Sequence, residues 1–241
     1  MRFKCDMQFH RHWYACRQLP RRLLGSLDDA LMPLRCAFCG TRTLPHERFT
    51  CEACLADLPW LENPCSATPP PMMAMVAPLA YEFPVDAAIK ALKFKRRLYY
   101  APAFAELLCD AMRHLPEYID ALLPVPLHWR RLAFRGFNQA LEISGGLRRH
   151  YGLPLVTGVL RRRATRSQSG LSAAERRSNV RHAFSFRRRL VARHILIVDD
   201  VITTGATTRQ LGRLLLRSGA ERVSVLAVAR AAQTGSAGLN V

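Results

Sequence analysis

Between His194 and Ala229 the chain reads HILIVDDVITTGATTRQLGRLLLRSGAERVSVLAVA. Two continuous apolar runs of strand length flank a stretch with Leu211, Leu214 and Leu215 on one helical face and Gly219 at its end. Uninterrupted apolar strands are buried on both faces, and strand, loop, helix, strand in about 35 residues is a βαβ unit. Its crossover is right-handed and its two strands are parallel. The expected fold is therefore α/β, a parallel sheet with helices on both faces. In such sheets ligands sit at the carboxyl ends of the strands, where Asp199 to Thr207 falls.

The same grammar recurs upstream. Ile119–Pro126 reads as a buried strand closed by two prolines, then a basic loop, then a helix from an Asn138 cap to Tyr151, stopped by Gly152. Residues 85–115 are helical in pattern, with Ala88, Leu92, Phe104, Leu107 and Leu108 at near-helical spacings. Pro102 is expected to split them into two helices, with LKFKRRLYY between.

The loop after the 194–200 run joins unlike chemistries. A turn entering a helix at Gly205 and Ala206 presents free N–H groups and the positive end of the helix dipole, and Thr203, Thr204 and Thr207 add hydroxyls. A single phosphate suits it. Asp199 and Asp200 repel phosphate and need neutral hydroxyls or a metal ion. The chain has no Gly-x4-Gly-Lys-Ser/Thr and no Gly-x-Gly-x2-Gly after a strand, which disfavours an ordinary P-loop NTPase and a dinucleotide fold. A ribose 5-phosphate has both required ends, so Asp199, Asp200, Val201, Thr203, Thr204, Gly205, Ala206 and Thr207 form the candidate site. Downstream of the 119–126 strand, Arg130, Arg131 and Arg135 are candidates for a pyrophosphate, because guanidinium forks pair with phosphate oxygens.

Cys36-x2-Cys39-x11-Cys51-x2-Cys54 has the paired spacing of a tetrahedral four-thiolate zinc site, closed to water and hence structural. Cys65 lacks a paired cysteine, the corresponding position being Thr68, and Cys5, Cys16 and Cys109 have no paired spacing. The expected organisation is a basic, loosely ordered leader (1–30), a zinc module (31–66), a Pro-rich linker (67–80), the α/β domain (81–232) and a tail (233–241). Lys and Arg number 36 against 18 Asp and Glu, a net charge of +18 that favours phosphate-bearing partners. No apolar run approaches the roughly 18 to 20 residues of a membrane span, and the N-terminus lacks a signal-peptide core, so the expected compartment is the cytoplasm.

ILIVDDVITTGAT resembles the phosphoribosyl-pyrophosphate (PRPP) loop of type I phosphoribosyltransferases. LLPVPLHWRRLAFRGFNQALEIS is similar to a block of the ComF competence-protein family, through Pro124, Pro126, Arg130, Arg131, Arg135, Gly136, Phe137, Asn138 and Gln139. RRRATRSQSGLSAAERRSNVRHAF resembles a second block, and with the cysteine module and LKF at Leu92–Phe94 the likeness covers residues 36 to about 230. It implies a type I phosphoribosyltransferase-like domain holding PRPP with magnesium, and a role in natural transformation beside a DNA-uptake helicase or a recombination mediator. Arg163, Gln168, Arg176 and Asn179 of the second block are lid candidates, since its basic residues and the Ser172–Glu175 capping box suit a cover over an anionic ligand. Three functions stay open. One is a transferase with an unidentified acceptor. Another is a non-catalytic single-stranded-DNA or partner-binding module, with Trp129, Phe134 and Phe137 interleaved among arginines for base stacking. The third is a sensor of nucleotide precursors.

Overall fold

The computed structural model describes residues 34–44, 46–66, 70–115, 118–161, 183–186 and 190–232. The leader, the tail, Cys5, Cys16, Thr68, Ser172–Glu175 and the lid candidates Arg163, Gln168, Arg176 and Asn179 lie outside the described residues. In chain order the elements are α1 (Glu52–Ala56), β1 (Ala74–Val76), β2 (Leu79–Ala80), α2 (Val85–Lys95), α3 (Tyr100–Ala111), β3 (Ala121–Pro124), α4 (Trp129–Arg135), α5 (Gln139–Tyr151), β4 (Leu160–Arg161), β5 (Phe184–Ser185), β6 (His194–Ile202), α6 (Ala206–Arg217) and β7 (Arg222–Arg230).

The expected parallel sheet forms in the order β1–β7–β6–β3, with β2 also on β7 and every one of these pairings parallel. Leu155 extends it beyond β3 by a parallel bridge to Leu122. Alternation along the strands assigns the two faces. Leu122, Leu196, Val198, Leu226 and Val228 bury against Leu92, Phe104, Leu108, Ile143 and Leu147 of α2, α3 and α5. Leu123, Ile195, Ile197, Val223 and Val225 bury against Leu211 and Leu215 of α6. Helices on both faces are thus the reason the strands read as unbroken apolar runs. At about 25 cal/mol per Å² of apolar area, this double burial is the main driving force for the domain.

Three expectations shift in detail. The helical stretch breaks at Arg96, which takes a left-handed φ of 53°, and not at Pro102. Pro102 stands in the first turn of α3, where a missing N–H leaves no intrahelical bond unmade. The basic loop after Pro126 is mostly helix α4, because His128 caps it by accepting from the Arg130 N–H at 3.3 Å. Residues 74–80, read from their prolines as linker, contain β1 and β2; Met75, Val76, Ala77 and Leu79 are buried there. The Asn138 cap and the Gly152 stop of α5 fall where the sequence puts them.

The cysteine segment is stitched to this sheet. Residues 59–66 run antiparallel along β1 and β2, with Leu61 N–H on the Pro78 carbonyl at 2.9 Å and Ser66 N–H on that of Met75 at 3.0 Å. They cover the edge that β1 and β2 would otherwise expose. Phe38 meets Tyr100 and Phe104 of α3 edge-on, with ring centroids 5.8 and 6.4 Å apart.

Candidate functional site

The two adjacent acids end the inward part of β6, and strand alternation separates them. Asp200 follows Leu196 and Val198 toward α2 and α5, where its Oδ2 is ion-paired with Lys93 Nζ and its Oδ1 accepts from Gln139 Nε2 at 2.9 Å. Gln139 Oε1 in turn accepts from Arg135 Nη1, so an amide bridges guanidinium and carboxylate. Asp199 takes the other parity and is only half-buried; its Oδ1 accepts the Asp200 N–H at 2.9 Å. Burial and the neighbouring Asp200 charge push the Asp199 carboxyl well above the usual carboxylate range. Burial alone would raise Asp200 too, but the Lys93 charge and hydrogen bond, with help from Gln139, hold it below that range. The two adjacent acids are thus pushed in opposite directions.

Beyond β6 the chain turns sharply at Thr203–Gly205 and enters α6. Gly205 has φ 67° and is the N-cap, and a Cβ there would lie 3.0 Å from Arg209 Nη1, so glycine fits on both counts. Thr208 is buried and donates back to the Gly205 carbonyl at 2.9 Å, which tightens the turn. Thr204 Oγ1 is buried with no partner among the described residues, while Thr203 and Thr207 line the open side. The first N–H groups of a twelve-residue helix point where an anion can take them.

Both halves open into one cleft of about 250 Å³, lined also by Lys93, Arg131, Arg135, Gln139 and Arg161. Arg131 and Arg135 lie on the face of α4 that looks into it. Arg130 does not line it; its guanidinium stands 5.2 Å from the centre of the Trp129 ring. Arg161, at the end of β4, is drawn down to about 10 by burial and by the Arg131 charge, against the opposing pull of Asp199. Lys93, Gln139 and Arg161 line the cleft as well, and the residue-by-residue reading did not place them in the site. Lys93 had a signal: it falls four residues after buried Ile89 and beside buried Leu92, a lone cation on the core-facing stripe of α2. Gln139 had another, as the first helical residue after the Asn138 cap and 5% exposed.

The four cysteines also meet. Sγ atoms of Cys36, Cys39, Cys51 and Cys54 all lie within 4.8 Å of one another, and the Cys39–Cys51 separation is 3.7 Å. A tetrahedron with metal–sulfur arms of about 2.3 Å has edges of about 3.8 Å, so the four could hold a single metal ion. Backbone N–H groups of Cys51 and Cys54 point at the Sγ atoms of Cys36 and Cys51, at 3.4 and 3.5 Å. The thiols are unequal: hydrogen bonding with the side chain and backbone of Thr41 brings Cys39 down to about 6, whereas burial raises Cys51 and Cys54. Nearby, buried Glu47 spends its two oxygens on the N–H groups of Leu44 (2.7 Å) and Glu52 (2.6 Å), bracing the loop between the cysteine pairs.

No family model matches the chain. The DNA utilization protein YhgH of Escherichia coli O157:H7 is 34% identical over 225 residues, 91% of each chain. Competence protein F of Haemophilus influenzae is 33% identical over 205 residues, 81% of this chain and 84% of its own. A solved glutamine PRPP amidotransferase from B. subtilis, complexed with ADP and GMP, aligns over 54% of this chain and 26% of its own, at 22% identity and a TM-score of 0.37. Among the described residues no helix is long and apolar enough to cross a membrane.

Proposed function

From the premise that the chain belongs to the ComF family of competence and DNA-utilization proteins, we propose that its cleft binds PRPP or a related ribose 5-phosphate. One observation carries the reading: the acids at the end of β6 and the Thr203–Thr207 turn at the start of α6 open into the same cleft. The 5-phosphate takes N–H groups of the turn from Thr203 through Thr204, Gly205 and Ala206 to Thr207 and the hydroxyls of Thr203 and Thr207, and Val201 lines the approach. The ribose hydroxyls donate to the acids at Asp199 and Asp200, and a pyrophosphate lies toward Arg131 and Arg135. Magnesium would arrive with the pyrophosphate, whose oxygens suit it. The four thiolates take a structural zinc ion, since soft sulfur ligands in a closed tetrahedron leave no place for water.

The names of the relatives, a DNA utilization protein and a competence protein, support a role with DNA uptake or utilization. We propose that this role is exercised in the cytoplasm, beside a helicase or a recombination mediator. A second reading, direct single-stranded-DNA binding, is favoured by a specific surface. Phe94, Trp129 and Phe134 are 68%, 64% and 84% exposed, and Arg135 and Arg130 stand 5.3 and 5.2 Å from the ring centres of Phe94 and Trp129. Stacking on such rings is worth about 1–3 kcal/mol per base. Phe137 packs against the core and does not join them.

The test is a calorimetric titration of the zinc-loaded protein with PRPP and Mg2+, alongside Asp199→Ala/Asp200→Ala. The expected result is one site in the wild type and none in the double variant. Equal binding by both proteins, or by neither, would sink the assignment.

A further inference from the structure

Two neighbouring carboxylates at the mouth of a phosphate loop invite a divalent cation, although the sequence favours ribose hydroxyls for them. The surroundings of Asp200 bear on the choice. Asp200 Oδ2 already faces an ammonium, that of Lys93, whose side chain is 20% exposed against 4% for the acid. Asp200 Oδ1 is taken by the Gln139 amide, and Gln139 is itself fixed from behind by Arg135. A magnesium ion demands about six oxygens at roughly 2.0–2.1 Å in octahedral array. A seat on Asp200 would bring it against the Lys93 ammonium, with the Arg135 guanidinium one amide away, and like charges at such range repel strongly in a buried site. Asp200 as it stands does not fit a metal ion.

We infer that Lys93 is the resident cation of the acid pair: its ammonium fills the place a divalent metal would take on Asp200 and leaves the acids to receive hydroxyls. This rests on the ribose-phosphate reading of the cleft and assigns a positioning residue to it. Lys93 comes from α2, the acids from β6 and Gln139 from α5, so the pair also pins α2 against the carboxyl end of the central strand. Any magnesium would then belong to the phosphates of the ligand.

The probe is Mn2+, followed by the paramagnetic signal of the free ion, with zinc-loaded full-length protein. Wild type is expected to show no Mn2+ site that depends on Asp200, so that wild type and Asp200→Asn titrate alike. Lys93→Met is expected to gain one site, about tenfold or more tighter than anything in the wild type, because two adjacent acids without their ammonium must attract another cation. That site should vanish in Lys93→Met/Asp200→Asn, and Lys93→Arg should behave like the wild type. An Asp200-dependent Mn2+ site in the wild type overturns the proposal without reference to any lysine variant. So does a folded Lys93→Met that gains none. Should Lys93→Met fail to fold, the comparison of wild type, Asp200→Asn and Lys93→Arg still decides. PRPP titrations on the same samples separate the two readings: the expected Mn2+ pattern without PRPP binding removes the ligand and leaves Lys93 in its role.

Discussion

The cysteine cluster and the cleft each bring together groups that could hold a charged guest, and they are assembled in opposite ways. Four thiols come from one short segment, Cys36 to Cys54, and their geometry follows from two tight turns and the stretch between. The cleft gathers Lys93, Arg135, Gln139, Arg161, Asp200 and Thr207 from six separate elements, and no local spacing determines where they meet. A local site stands or falls with its guest. An assembled one stands with the fold, and its own side chains must settle its charges beforehand.

The sharpest break of that comparison is at the metal. A structural zinc ion supplies about 10–16 kcal/mol of apparent folding free energy, as much as the whole stability of an ordinary domain. Cys51→Ser, or exhaustive chelation, is therefore expected to unfold the segment around Cys36–Cys54. It should also loosen residues 59–66 from β1 and β2, uncovering a sheet edge. Zinc stoichiometry, limited proteolysis and light scattering read the three consequences. A zinc-free variant that resists protease as the wild type does would show that the turns stand without a guest.

Removing an acid from the cleft is expected to cost less and to leave the fold standing. Asp200→Ala strands Lys93, mostly buried, and frees the Gln139 amide. Breaking one side of a buried pair costs about 3–5 kcal/mol, and the partial exposure of Lys93 puts the expected loss at the lower end. Urea denaturation would measure it. A loss under about 1 kcal/mol would mean that Lys93 finds water on leaving Asp200, and that the pair is no clamp between α2 and β6.

The same contrast explains what could be read in advance. The thiol cluster was fully legible, because paired cysteines with two residues between them are a local geometric statement. Strands β3, β6 and β7 were legible because double burial writes an unbroken apolar run. β1 and β2 were not: each is two or three residues long among prolines, and what makes them strands is the β7 backbone, about 150 residues away. Helix α4 was hidden by its arginines, which read as a loop until the His128 cap is seen. In the cleft the acids and threonines announced themselves by adjacency. Their individual environments did not, since those come from α2 and α5 across the sheet.

A smaller effect sharpens the difference between the two acids. Because the Asp199 carboxyl is raised in the folded state, its contribution is fully present below the unfolded carboxylate range and is lost as pH rises through the folded value. Asp200 runs the other way, contributing above the unfolded range and losing it as pH falls. Asp199→Asn is therefore expected to stabilise the ligand-free protein at neutral pH, by about 1 kcal/mol, and to match the wild type in acid. Thermal midpoints from pH 4 to about 8 would show the curves diverging upward. Curves that stay parallel would mean that Asp199 ionises normally and that the pair shares no conflict.

The smallest expected effect separates the cleft from the surface beside it. Arg130 and Arg131 are neighbours on α4, yet only Arg131 lines the cavity, while Arg130 stands over Trp129 on the outside. For a ligand held inside, Arg131→Ala should weaken binding about tenfold through the loss of one charge-assisted contact, and Arg130→Ala should change nothing measurable. For single-stranded DNA the order should reverse, with Arg130→Ala lowering affinity and reducing the salt dependence by about one phosphate contact. The two titrations share one pair of proteins, so each is the control for the other. If both ligands respond to both arginines alike, then α4 presents a single anion-binding face, and the boundary between cleft and surface has no functional meaning.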